Sequence, residues 1–147
     1  MEIKIISRSK SRKVILEALV HFYAQELGLT NSTWKLVVST LPNLIKNDSM
    51  RGMVFRGEGK VLMMGIDSRL RMSDLFNTVA HEMVHVKQHA KGQLKMYVKR
   101  NGTTGYTWMG RKTKTDAFDS PWELEAYSKE VVLSNKVTKH LINRLGA

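Results

Sequence analysis

The chain contains no cysteine. Disulfides are therefore excluded, and so is any zinc site built on thiolates. A metal ion bound here must be held by His, Asp or Glu. Acidic residues are also scarce: 13 Asp plus Glu face 24 Lys plus Arg, a formal net charge of +11. Such an imbalance attracts polyanions, whether nucleic acid, anionic membrane or acidic protein surfaces, without choosing among them. No apolar stretch approaches the ~20 residues of a membrane span. Residues 1–13 lack both the apolar core and the small-residue cleavage site of a signal peptide. Repeats, low-complexity tracts and linkers are missing too. The expectation is one soluble, monomeric domain, residues 1–147, of a reducing compartment, the cytoplasm, with no membrane partner.

The 147 residues, 42% hydrophobic and 25% charged, are enough for a core of their own. Residues 11–27 place Val14, Ile15, Leu16, Leu19, Val20, Phe22, Tyr23 and Leu27 at helical spacing, with Gly28 where a C-cap falls. Trp34 to Thr40 is short and β-branched, hence a strand. Residues 53–56 and 60–66 flank Gly57-Glu58-Gly59 and read as a hairpin. Ser73 is placed to cap a helix from Asp74 to about Lys91, closed by Gly92. Residues 94–118, rich in glycine and aromatics, read as a loop or irregular hairpin. A last helix runs from Pro121 to about Arg144, where Ser120-Pro121-Trp122-Glu123 combines an N-cap, a first-turn proline and a capping-box Glu. This order of elements is α+β.

His81-Glu82-Met83-Val84-His85 is the pattern HExxH. On a helix, residues four apart share a face, so two imidazoles at this spacing can bind one ion. Glu82 lies about 100° round the helix from His81, where it flanks the ion and can take a proton from an activated water. The chemistry that fits is hydrolysis of an amide or ester. The plain alternative is a solvated helix face that happens to carry histidines. His89 lies on the same face but two turns from His81, about 12 Å along the axis, too far for one ion in an unbroken helix. It reads as a surface or supporting residue.

A third ligand must come from another element. His21 and His140 qualify by residue type, but each sits inside a helix with no partner motif. Glu123 and Glu125 at the start of the last helix are better placed. Glu123 can instead serve its own capping box, and Glu125 can pair with Lys129 at i+4. Spacing alone does not separate them.

With HEMVHVKQ at 81–88, Tyr-x-Trp-x-Gly at 106–110 and PWELEAY at 121–127, the chain resembles the gluzincin-like zinc metallopeptidases. More narrowly, over about residues 73–130, it resembles small phage-type SprT-like metallopeptidases. It departs from SprT and Spartan proteins in lacking their third His after HExxH and their cysteine zinc ribbon. The resemblance implies a minimal zincin fold: a short, twisted antiparallel or mixed sheet packed on the HExxH helix, with N- and C-terminal helices. It implies Zn2+ on His81, His85 and Glu123, the last from a Glu-x-x-Ala pattern matched by Glu123 and Ala126, with Glu125 as runner-up. Glu82 is then the general base, and Tyr106 or Tyr127 stabilises the oxyanion. A protein or peptide substrate would add as a strand to a sheet edge, for which the 60–66 strand is the expected candidate. If phage-encoded, the chain would work in the host cytoplasm.

The basic residues are dispersed along the chain, with Arg111, Lys112 and Lys114 beside Trp108 forming a candidate phosphate-and-stacking surface. This leaves a rival expectation, a DNA-associated binding protein whose metal site is structural or vestigial. Combining the two readings gives a protease that acts on DNA-associated proteins.

Overall fold

The computed structural model describes residues 1–113 and 120–146, in a mixed α+β arrangement. In chain order the elements are β1 (Glu2–Ile6), α1 (Lys10–Glu26), β2 (Lys35–Leu41), α2 (Leu44–Asp48), β3 (Gly52–Arg56), β4 (Val61–Asp67) and α3 (Met72–Ala90). There follow β5 (Leu94–Val98), β6 (Thr104–Trp108), β7 (Arg111–Lys112) and α4 (Pro121–Gly146).

The main sheet has the order β1-β2-β4-β3, with β1, β2 and β4 parallel and β3 antiparallel to β4. Leu36 and Val38 of β2 and Leu62, Met64 and Ile66 of β4 are fully or almost fully buried on its covered side. They join Leu16, Leu19, Val20 and Tyr23 of α1 and Leu75, Val79, Ala80 and Met83 of α3 in one core. The Tyr23 hydroxyl donates to the Phe76 carbonyl at 3.0 Å and ties α1 to α3. The expected hairpin is present as β3 and β4, but β4 is interior. It pairs with β2 on one side and β3 on the other, so it has no edge to offer a substrate. The edge on this side of the sheet is β3, and β1 is the opposite edge.

Glycine ends both α1 and α3. Gly28 and Gly92 have φ of +71° and +70°, which only glycine adopts without strain. At each, the two amides past the helix return to its last carbonyls, as in Leu29 to Ala24 and Gln93 to Gln88, both 2.8 Å. The helix start differs from expectation. α3 begins at Met72 with Arg71 as an extended N-cap and no side-chain cap, so Ser73 lies inside the first turn.

Two elements went unread in the sequence. β1 is a strand because β2, beyond the α1 crossover, supplies its partner. α2 has a left-handed, uncapped start at Asn43, and the buried Asp67 carboxylate at the end of β4 accepts from the Ile45 amide at 2.9 Å instead.

The glycine-rich stretch forms a second sheet, β5-β6-β7. It packs on the start of α4 through aromatic rings, with Tyr106 and Trp108 at centroid distances of 5.4 and 6.2 Å from the buried Trp122. This cluster anchors the end of α4 that carries Glu123. Trp122→Ala is expected to lose about 3 kcal/mol from the cavity and the lost burial, seen as a drop of roughly 10 °C in the thermal midpoint. An unchanged midpoint would show that the rings do not hold α4.

Candidate metal centre

HExxH lies in the middle of α3, a helix buried on nearly all sides. Glu82, His85, Lys87 and Gln88 are buried along with its apolar residues. The face with the histidines is covered by α4 and β3, so it is not a solvated stripe. Glu123 descends from the first turn of α4. Its Oε1 lies 2.6 Å from His85 Nε2 and its Oε2 lies 3.3 Å from His81 Nε2. The two Nε2 atoms are 3.2 Å apart.

The outer nitrogens explain this convergence. His81 Nδ1 faces Glu130 Oε2 at 2.9 Å, and His85 Nδ1 faces Gln88 Oε1 at 2.8 Å. The orientation of the Gln88 amide is set because its nitrogen donates to Trp122 O and to Glu125 Oε1, both at 2.9 Å. Both acceptors call for a proton on Nδ1. In the neutral tautomer each Nε2 then presents a lone pair to the cluster, the arrangement metal-binding histidines need.

Glu125 therefore does different work from Glu123. It takes hydrogen bonds from Lys87 at 2.8 Å, from Gln88, and from Lys129 at 3.3 Å. Burial works to raise the Glu125 carboxyl, and these donors and the cations behind them more than reverse that. The capping role open to Glu123 is not taken. Ser120 Oγ makes no hydrogen bond among the described residues, and the Glu123 carboxylate is turned to the imidazoles.

The donor set fits a zinc ion. Ligand atoms arranged tetrahedrally at 2.0–2.1 Å from Zn2+ stand about 3.3 Å from one another. Here one nitrogen from each of His81 and His85 and one oxygen of Glu123 lie within 4.8 Å of each other, with the closest approaches given above. Three of the chain's 13 carboxyl groups, those of Glu82, Glu123 and Glu130, line a single cleft of about 600 Å³. In a chain of net charge +11 such a concentration of anions favours a cation. Burial works against charge on both imidazoles, yet Glu123 and its carboxylate neighbours raise them overall. Burial also opposes charge on Glu123, but the imidazoles bring its carboxyl down to about 2.

Glu82 lines the same cleft and is 7% exposed. Burial raises its carboxyl, an effect the two imidazoles only partly offset. Above it runs β3, and Gly52 is what allows the approach. A Cβ there would stand 3.0 Å from Glu82 Cγ and from Thr78 Cγ2. Tyr127 closes the other wall, its ring 4.8 Å from that of His81. Tyr106 is not part of this wall. It packs on Trp122 and lines a different cavity, whereas Tyr127, the other tyrosine of that expectation, borders this cleft.

The remaining histidines lie elsewhere. His21 is exposed on α1, and His140 stacks at 5.0 Å on Phe22 near the far end of α4. His89 is half-buried and lines that second cavity. Burial, helped by His85 and Arg56, pulls its imidazole down to about 4. Between its ordinary 6.5 and 4 the unfolded chain takes up a proton that the folded chain refuses, so acidification costs stability. Relative to His89→Gln, the native chain is expected to lose about 2 kcal/mol between pH 7 and pH 4.5, after allowance for its partial exposure. Parallel melting curves for the two proteins would refute this.

Gln88 and Glu130 carried no expectation from sequence. The signal was periodicity: Gln88 follows His81 by seven residues on α3, and Glu130 follows Glu123 by seven on α4. Arg111 and Lys112 form β7 and are exposed, with Lys112 Nζ 5.3 Å from the centre of the Tyr97 ring. Lys114 lies outside the described residues. No described helix is long and apolar enough to cross a membrane. No family model, no curated protein and no solved structure matches the chain.

Proposed function

We propose that the protein is a zinc-dependent, zincin-like peptidase whose metal is held by His81, His85 and Glu123. The observation that carries this reading is the pairing of two inward-facing imidazole nitrogens and one carboxylate with a second, buried carboxylate, Glu82, in the same cleft. When bound, zinc supplies Lewis acidity and makes a water acidic enough to ionise near neutral pH.

Each remaining role belongs to a residue of the chain. Glu82 accepts the proton of the attacking water and returns it to the departing amine. In the metal-free chain burial pushes its carboxyl up, an effect that favours its taking a proton. The Tyr127 hydroxyl, at the mouth of the cleft, donates to the developing oxyanion. The free edge of β3 offers backbone groups to an extended peptide. A peptide is favoured over a small ester because an edge strand borders the cleft.

The test is to load the purified chain with zinc, incubate it with a diverse peptide mixture, and count new amino termini by mass spectrometry. Glu82→Gln serves as the control. Cleavage by the native chain and none by the variant supports the reading, whereas equal cleavage overturns it. The net charge of +11 favours a second reading, a nucleic-acid-binding protein. That reading requires DNA affinity that falls steeply with salt and is unaffected by Glu82→Gln. The two combine if the substrates are DNA-associated proteins, in which case DNA should speed their cleavage.

A further inference from the structure

Val54 lines two cavities. One is the acidic cleft above, and the other, about 580 Å³, is bounded by the rings of Trp34, Phe55 and Tyr106 and by Arg56, Lys91 and Lys95. Among the described residues no carboxylate lines this second cavity. The first cleft gathers three carboxylates, Arg51 and the two imidazoles, the second has cations without a carboxylate, and both border β3. We infer that the second cavity is a substrate subsite that takes an acidic residue of a polypeptide extended along β3. This rests on the peptidase reading and specifies its substrate class.

The register of β3 supports it. Alternate residues share a face, so Gly52, Val54 and Arg56 form one row. Gly52 lies against Glu82, Val54 borders both clefts, and Arg56 reaches the second. From Gly52 to Arg56 an extended chain covers about 13 Å, four residues of strand. A substrate bond lying by Glu82 thus places a residue three or four positions away beside Arg56 and Lys95.

Main-chain bonding alone would let an added strand slip by two residues with little penalty. The cations Arg56, Lys91 and Lys95 remove that freedom, because they draw an acidic side chain to the one register that seats it in the second cavity. The rings give its methylenes an apolar wall. Arg56 is already held over Trp34, with its guanidinium carbon 5.1 Å from the ring centre. A peptide is favoured over a nucleic acid because the free edge of β3 offers main-chain partners that a sugar-phosphate chain cannot pair with as a strand.

The experiment uses full-length, zinc-loaded Glu82→Gln protein and labelled ten-residue peptides in which a single Glu, or its isostere Gln, is stepped along a neutral sequence. Binding is read by fluorescence anisotropy. The expected result is five- to tenfold tighter binding of Glu than Gln at one position. That preference should disappear in Arg56→Gln/Lys95→Gln and persist in Lys4→Gln, whose exposed cation lies on β1 at the opposite edge. Arg56 and Lys95 are exposed, so the double variant should fold, which circular dichroism checks.

Equal affinities at every position would overturn the inference. So would a single-stranded oligonucleotide that binds more tightly than any peptide and depends on the same two cations. The native enzyme separates this inference from the reading beneath it. Cleavage of a peptide pool without acidic residues enriched three or four positions from the cut sinks the subsite alone. A charge-dependent preference with no cleavage leaves the subsite standing and sinks the peptidase.

Discussion

Glu82→Gln is expected to lower turnover by roughly 10²–10⁴-fold, the range for removing a general acid–base group, while zinc content stays at one ion per chain. The amide has the shape of the carboxylate, so it fits the space beneath Gly52, where even a Cβ would crowd the side chain. It cannot take the proton of the attacking water. Glu82 is not one of the three converging ligand residues, so nothing in the substitution removes the metal. A further result separates this from simple damage. Because burial disfavours the charge on Glu82, the metal-free variant should melt no lower than the native chain. Loss of activity together with loss of zinc, or with a much lower midpoint, would overturn the assignment.

The second large effect concerns the ligands. Native protein, dialysed against trace zinc, should retain one ion per chain by mass spectrometry, and His85→Ala and Glu123→Ala should each retain almost none. Glu125→Gln should still bind, but roughly 10–100-fold more weakly, the usual penalty for disturbing a group that orients a ligand. Glu125 helps hold the Gln88 amide that faces His85 Nδ1. The same order should appear in thermal melts. Zinc at a thousandfold excess over Kd stabilises by about 4.1 kcal/mol, and the two ligand variants should forgo that gain. If Glu123→Ala keeps its zinc and Glu125→Gln loses it, the ligand assignment is reversed. Absence of zinc from the native chain, even after reconstitution, would remove the peptidase reading and leave the charge as the main lead.

Much of this was legible one element at a time. The helix with HExxH, its glycine stop, the hairpin before it and the long last helix all follow from local signals in 70–92, 52–67 and 120–146. The spacing of His81, Glu82 and His85 needs nothing beyond helix geometry. The elements that went unread depend on distant partners. α2 is completed by the carboxylate of Asp67, and β1 exists as a strand through pairing across α1. The glycine-rich stretch resolves into strands because Tyr97 lies over Gly105, where a Cβ would stand 2.5 Å from the ring, and because Trp122 receives Tyr106 and Trp108.

The sequence by itself determined the α+β class, the absence of thiolate chemistry, and the pair of histidines with a carboxylate between them on one helix. Those follow from composition and from interactions within a few residues, which are the same in any fold that contains the helix. The tertiary structure decided which of two glutamates meets the histidines, which tyrosine faces the cleft, and which strand is the edge. Glu123 and Glu125 are equivalent by spacing, and only the packing of α4 on α3 turns one to the imidazoles and the other to Lys87. β4 lost its candidacy as an edge because β2, far upstream, pairs with it. Such choices depend on contacts between residues tens of positions apart, and local propensity carries no record of them.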